Sequence, residues 1–285
     1  MNKSFTLIEI LVAIVVIGIL SSFILIGMSS ITEQANFAKG KAFINSMDNS
    51  LLLGRVSQWK FDERTTAGHG DTFIDLWGSN TGTLYTNNGT NNKVSSDCPS
   101  GNCLSFDGTD DYVDIGNHIF IDGTTFSIWF KSTNTLSQMP FGGDNGFFVY
   151  VYSTQIQGST DGSSAGSPTY TGTVCDGNWH HLVLMSDGSR AWIYFDGLNI
   201  LNWTETSTKT SHQYAVGRYH RVETGAYYSF NGLIDDVRIY NVAIPTSQIQ
   251  QNYYIGLNNL YKNNGITQIE YNQRITGLKF NLSQN

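Results

Sequence analysis

Hydrophobic and polar positions change period along this chain. Phe5 to Met28 (FTLIEILVAIVVIGILSSFILIGM) is almost continuously apolar and carries a single charge, Glu9. As a helix it would span roughly 36 Å, enough to cross a hydrocarbon core of about 30 Å. Residues 29–55 contain no proline, and two sets, Ile31/Ala35/Ala38/Ala42 and Phe37/Ile44/Met47/Leu51, recur with helical spacing. The helix is therefore expected to continue as an amphipathic one that packs one side against a globular domain. From Phe5 to Leu53 it would be roughly 73 Å long. From Val56 the period falls to two. Runs such as Phe126–Phe130, Phe147–Val151, His181–Met185 and Ala191–Phe195 are rich in aromatic and β-branched residues. Asp-Gly dipeptides beginning at Asp107, Asp122, Asp161, Asp176, Asp187 and Asp196 punctuate them. Short strands at that spacing, with no helices between, predict an antiparallel β-sandwich. After Pro245 the helical period returns at Ile249, Tyr253, Leu257 and Leu260, ending at Gly265. Thr267–Glu270 then has capping-box form and opens a second helix through Leu278. Whether this pair packs on the sandwich edge or on another subunit is left open by the pattern.

Composition sharpens the division. The chain has 285 residues, with 23 acidic against 16 basic side chains, a net charge of −7, 29 glycines and only 14% charged residues. A hydrophobic share of 40% can build a sizeable core and excludes wholesale disorder. Low charge with abundant glycine fits a turn-rich β protein. A pI near 5.2 lacks the basic stripe of a nucleic-acid binder, so no nucleic-acid partner is expected. The mean hydropathy of −0.20 averages an apolar amino-terminal segment and a polar, aspartate-rich body. The expected organisation is 1–4 leader, 5–28 apolar helix, 29–55 amphipathic half-helix, 56–244 sandwich and 245–285 helical tail.

The apolar run is too long for a secretory signal peptide, and an acid sits near its start. A plain membrane anchor accounts for the length but leaves Glu9 at a cost of roughly 2.5–3.5 kcal/mol. A third reading gives that carboxylate a partner. Lys3-Ser4-Phe5-Thr6-Leu7-Ile8-Glu9, followed by the apolar run, resembles the class III signal of type IV pilins and pseudopilins. The resemblance implies cleavage by a prepilin peptidase between Ser4 and Phe5 and methylation of the new Phe5 amino terminus. Glycine is the family's usual residue before the cut, where this chain has Ser4. It also implies that Glu9 pairs with the Phe5 ammonium of a neighbouring subunit, which removes an uncompensated charge from an apolar setting.

The body carries its own family marks. Trp59–Glu63, Leu104–Gly108 followed by Asp110–Val113, Trp179–Leu182, Ile193–Gly197 and Gly232–Tyr240 occur in order. Together they resemble the laminin G-like, concanavalin A-like jelly rolls. That resemblance implies two packed antiparallel sheets and a module that binds carbohydrate or a surface protein, or serves as a structural spacer. It further implies a structural Ca²⁺ site using Asp75 with Asp235 or Asp236, where carboxylates and loop carbonyls would supply the oxygens. Asp is also a turn former, the preferred reading for Asp107, Asp110, Asp111 and Asp114. Of His180 and His181, adjacent on a strand and so pointing to opposite faces, one is expected in the core and one at the surface. Trp77, Trp179, Trp192 and Trp203 are either core residues or platforms for sugars.

No catalytic site is expected. Glycanases on this fold need two carboxylates about 5–5.5 Å apart for retention. Glu63, Glu205 and Glu223, the glutamates between Val56 and Pro245, have no such arrangement. No phosphate-binding glycine loop is present. Cys98 and Cys103 can close a local disulfide worth roughly 2 kcal/mol, consistent with an extracytoplasmic domain. Cys175 is left over, either buried and free or paired with another chain.

The reading that joins these parts is a type IV pilus-like filament subunit. It would start in the cytoplasmic membrane, be processed at Ser4–Phe5, and assemble with identical subunits through the pilus machinery to reach the cell surface. A minor pseudopilin of a secretion or DNA-uptake machine and a membrane-anchored lectin-like module are the alternatives.

Overall fold

The computed structural model describes residues 54–64, 66–86, 92–95, 98–119, 123–143, 146–160, 168–205, 211–218, 220–221 and 226–282. Of the leader, the apolar helix and the amphipathic half-helix expected over residues 1–55, residues 1–53 lie outside them, as do Ser4, Phe5 and Glu9. Gly54 is in a turn and Arg55 already opens a strand, so the half-helix does not reach 55. The sandwich and its helices belong to one compact unit that begins at Leu53. Among the described residues no helix is long and apolar enough to cross a membrane.

Nineteen strands and two helices form among the described residues, and every strand pairing is antiparallel. One sheet runs β15 (Leu198–Thr204), β14 (Arg190–Phe195), β13 (Trp179–Ser186), β8 (Thr125–Lys131), β19 (Asn231–Tyr240), β6 (Cys103–Asp107), β5 (Asn92–Ser95), β2 (Thr66–Ala67). Its ninth strand, β1 (Arg55–Trp59), also pairs with β19. The other runs β12 (Thr169–Thr171), β11 (Gln155–Ser159), β10 (Phe148–Val151), β9 (Gln138–Gly143), β16 (Ser211–Val216), β7 (Tyr112–Ile119), β4 (Gly82–Tyr85), β3 (Thr72–Phe73). A small hairpin, β17 (His220–Arg221) with β18 (Ala226–Tyr227), stands apart. The turns follow their residues. Phe195 pairs with Leu198, so Asp196 and Gly197 alone make the β14–β15 turn, both at positive φ (49° and 78°). Two consecutive left-handed residues match the twist of the flanking strands, the reason Asp-Gly is favoured there.

The two sheets face each other across a core of Phe126, Ile128, Phe130, Phe141, Leu182, Leu184, Ile193 and their neighbours. What the period-two pattern does not convey is a second covered face. All eight residues of β13 are buried. Helices α1 (Thr246–Lys262) and α2 (Gln268–Leu282) supply the cover, with Tyr253, Leu257, Leu260, Tyr271 and Leu278 clustered on Trp129 and Trp179. The helices therefore pack on the outer face of the nine-stranded sheet, settling the placement that the sequence leaves open. Pro245 sits at the α1 N-cap. The Thr267 hydroxyl accepts the Glu270 N–H at 3.2 Å. Glu270 itself turns to Arg274 (2.8 Å) instead of completing the box.

Close approach fixes the helix on the sheet. Trp129 stacks on Tyr253 at 5.6 Å, and a Cβ at Gly256 would lie 2.3 Å from Trp129 Cζ2. Intrinsic propensity favours Ala over Gly in a helix by about 1 kcal/mol, whereas overpacking a filled core costs about 1–3 kcal/mol. The Trp129 ring, 1% exposed and bounded by Tyr253 and His181, has no room to retreat, so packing wins. Gly256→Ala is expected to lower stability by about 1–2 kcal/mol in urea melts, where an exposed helical glycine would gain.

Candidate functional site

Three polar groupings set by the strand geometry hold the residues singled out by sequence. The first is at the start of β13. His180 lies between two carboxylates, Nδ1 at 2.8 Å from Asp196 Oδ2 and Nε2 at 3.1 Å from Asp176 Oδ1. Its ring also stacks on Phe195 at 4.7 Å. Burial alone would lower its pKa; Asp196 and Asp176 outweigh it and push it up to about 9. The hydrogen bond from His180 in turn holds Asp176 well below the usual carboxylate range. Burial would raise Asp196, yet His180 keeps it low, with Arg274 of α2 assisting. His181 points to the opposite face, as alternation requires, with Nε2 at 2.8 Å from Ser127 Oγ. It lies beside Trp129 and Tyr253, where burial pushes its pKa down to about 4 and Arg238 adds to the shift. Neither histidine is at the surface: they are 6% and 1% exposed, because helix α1 covers the face on which a surface histidine was expected.

The second grouping is a bulge in β19. Asp235 pairs with Trp129 and Arg238 with Ser127, so two residues, Asp236 and Val237, face one on β8. Asp236 takes a positive φ of 46° there. The same dipeptide yields opposite ionisation. Asp236 accepts Arg238 Nε at 2.9 Å and Gln58 Nε2 at 2.6 Å. Burial would raise it, but the Arg238 guanidinium holds it below the ordinary carboxylate value. Asp235, fully buried, accepts the Ser100 N–H and the Asp236 N–H, both at 2.6 Å. Burial and the neighbouring Asp236 charge drive its pKa well up. Arg238 also reaches Asn252 of α1 at 2.8 Å, joining the bulge to the helix. Ser100 belongs to the loop closed by the Cys98–Cys103 disulfide, and Asn263 Nδ2 donates to Cys98 O at 3.3 Å. Cys175 is buried and free, its thiol raised by burial to about 11.

The third grouping is the loop after Phe73. Asp75 Oδ1 accepts N–H groups of Gln58 (2.9 Å) and Trp77 (3.0 Å), and Oδ2 accepts that of Asn80 (3.2 Å). Burial raises Asp75, but these amides and that of Gly78 bring it below the usual range. Of the expected calcium ligands, Asp75 and Asp236 both accept from Gln58 and Asp235 accepts from Ser100, so each already has protein partners. One organises its own loop, one binds the disulfide loop, and one is neutralised by Arg238. This does not fit a shared cation. Among the described residues the acidic side chains that do converge are Asp107, Asp110 and Asp111, with ligand-type oxygens within 4.8 Å of one another. Asp114 stays apart, accepting from Gly116 N–H and Gln213 Nε2. Of the four tryptophans considered as sugar platforms, Trp179 is buried and Trp77 is exposed, 43%, next to Ile74 and Leu76. Arg55 lies 4.9 Å from the Trp77 ring.

The adjacent histidines give opposite pH limbs. His180, raised from about 6.5, adds stability that is fully present below pH 6.5 and lost as pH rises through about 9. His181, lowered to about 4, is neutral in the fold; its contribution is full above pH 6.5 and lost as pH falls towards 4. Urea melts should peak near pH 6.5, with an alkaline limb on the order of 3 kcal/mol. His180→Gln should remove that limb and keep the acid one.

Residues 107–250, half of the chain, match the concanavalin A-like lectin/glucanases superfamily. Residues 1–25 match the prokaryotic N-terminal methylation motif. No curated protein matches the chain. Domain 4 of AbnA, an extracellular arabinanase from Geobacillus stearothermophilus solved with arabinotriose, is similar at TM-score 0.52 and 20% identity, covering 70% of this chain and 98% of that one. A Trypanosoma rangeli sialidase mutant is similar at TM-score 0.54 and 13% identity, over 73% of this chain and 33% of the sialidase. At these identities the likeness is one of fold. The chain belongs to the concanavalin A-like lectin/glucanases superfamily and carries a prokaryotic N-terminal methylation motif ahead of that domain.

Proposed function

We propose that the protein is the structural subunit of a type IV pilus-like filament and displays its sandwich at the cell surface as a carbohydrate-binding adhesion module. The observation that carries this reading is the joining of a methylation motif at residues 1–25 to a lectin-type domain in one chain. Prepilin peptidase would cut between Ser4 and Phe5 and methylate Phe5. The apolar helix would hold the precursor in the membrane and then move into the filament, packing against identical helices. Glu9 would set axial register by pairing with the Phe5 ammonium of the next copy, since an unpaired carboxylate in that setting is costly.

The domain binds and does not catalyse. Glu63 accepts the Ile74 N–H at 3.0 Å, and Glu205 hydrogen-bonds the Ser186 hydroxyl, so each is engaged by a neighbouring segment of the domain. A glycosidase pair would instead flank a sugar from two sides. Exposed Trp77 offers a flat apolar face of the kind sugars stack on. The arabinotriose complex of the similar AbnA domain favours a sugar ligand over a protein one.

Glu9→Val is expected to leave the subunit in the membrane and abolish filaments in electron micrographs of the cell surface. Filaments of normal number and length from that variant would remove the register role.

A further inference from the structure

The β6–β7 loop, Asp107-Gly-Thr-Asp-Asp111, reads as a turn, and for Asp107 the structure agrees. Its Oδ1 accepts the N–H groups of Thr109 (2.7 Å) and Asp110 (3.4 Å). The other two acids are not explained by turn formation. Asp111 is 3% exposed. Its Oδ2 accepts the Asp107 N–H at 3.0 Å, and the Thr86 side chain hydrogen-bonds the same carboxyl. Its Oδ1 is buried with no hydrogen-bond partner, and Asp110 Oδ1 is in the same condition. Buried polar atoms are almost always paired, and an orphaned carboxylate oxygen calls for a proton, a water or an ion. Here two such oxygens, on adjacent residues, belong to a group whose third carboxylate is Asp107, with ligand atoms no more than 4.8 Å apart. Hydrogen bonding to water would leave three carboxylates facing one another. A cation relieves both the missing partners and the repulsion.

We propose that Asp107, Asp110 and Asp111 form a binding site for a hard divalent cation of the calcium class. The donors are all oxygens, and the three carboxylates come from one short loop. Neither sulfur nor imidazole is offered, which disfavours zinc and copper. The loop is already fastened to the segment leading into β19: Ser229 Oγ donates to Thr109 O and Asn231 Nδ2 to Asp107 O, both at 2.8 Å. A cation would stiffen the junction between β6, β7 and that segment. The role is structural and independent of any sugar ligand. It also moves the expected calcium site away from Asp75, Asp235 and Asp236.

The test uses the full chain in detergent micelles after EDTA treatment. Tb³⁺ luminescence, sensitised by the adjacent Tyr112, reports occupancy, and Ca²⁺ competes. One site is expected, with a Ca²⁺ midpoint of roughly 10⁻⁴–10⁻³ M as in extracellular modules. The melting temperature should rise by several degrees in millimolar Ca²⁺ relative to EDTA. Asp110→Asn and Asp111→Asn should each weaken Ca²⁺ competition by roughly a factor of ten or more and cancel the rise, while Asp114→Asn should retain both. The half-buried Asp110 keeps the test open if Asp111→Asn does not fold. Absence of Ca²⁺ competition in the wild type, or unchanged competition in Asp110→Asn, overturns the proposal.

Discussion

A sheet that is apolar on both faces must be covered twice, and the rest of this domain follows from that constraint. Strand β13 sends Leu182 and Leu184 into the sandwich core and Val183 and Met185 to the other side. Without α1 and α2 the outer side would expose Trp129 and Trp179 as well. Covering that face also traps polar groups that strands would otherwise leave wet. Asp236 and Arg238 are buried there, and each has the opposite charge of the other within hydrogen-bond reach. Burying one without its partner would be strongly destabilising, so this pair fixes how the helices seat. Arg238 to Asn252, Asn252 to the Tyr240 hydroxyl, Tyr194 to Thr246 and Arg274 to Trp179 O are polar bridges between sheet and helices.

Much of the architecture was legible in the residues. The change to period two after Val56, the Asp-Gly turn at Asp196 and the spacing of Ile249, Tyr253, Leu257 and Leu260 each correspond to an element of the fold. The second covered face also left a trace, because Val183 and Met185 break the alternation that a solvent-facing strand would show. Read that way, both histidines belong inside. The partition of Asp235 and Asp236 was not legible. Their ionisation depends on a bulge, and on Ser100 and Arg238 reaching them from different directions, none of which a local dipeptide encodes. The same limit applies to Asp110 and Asp111. Their resemblance to turn formers is real, and only burial of one oxygen on each sets them apart.

The two halves of the chain answer different physical demands. A nearly uncharged apolar segment with one acid suits a place among other helices, in a bilayer or in a filament. A polar domain with a local disulfide and charged pairs sealed beneath helices suits exposure outside the cell. The low overall charge is the average of these two solutions, and the superfamily domain at residues 107–250 and the motif at residues 1–25 mark the two ends of the join.

The amino terminus of the mature protein tests the pilin-like reading most directly. Mass spectrometry of the terminal peptide should find a chain that begins at Phe5, lacks Met1 to Ser4 and carries one methyl group on the new α-amine. A mature chain that retains Met1 would contradict processing, and with it the proposed pairing of Phe5 and Glu9.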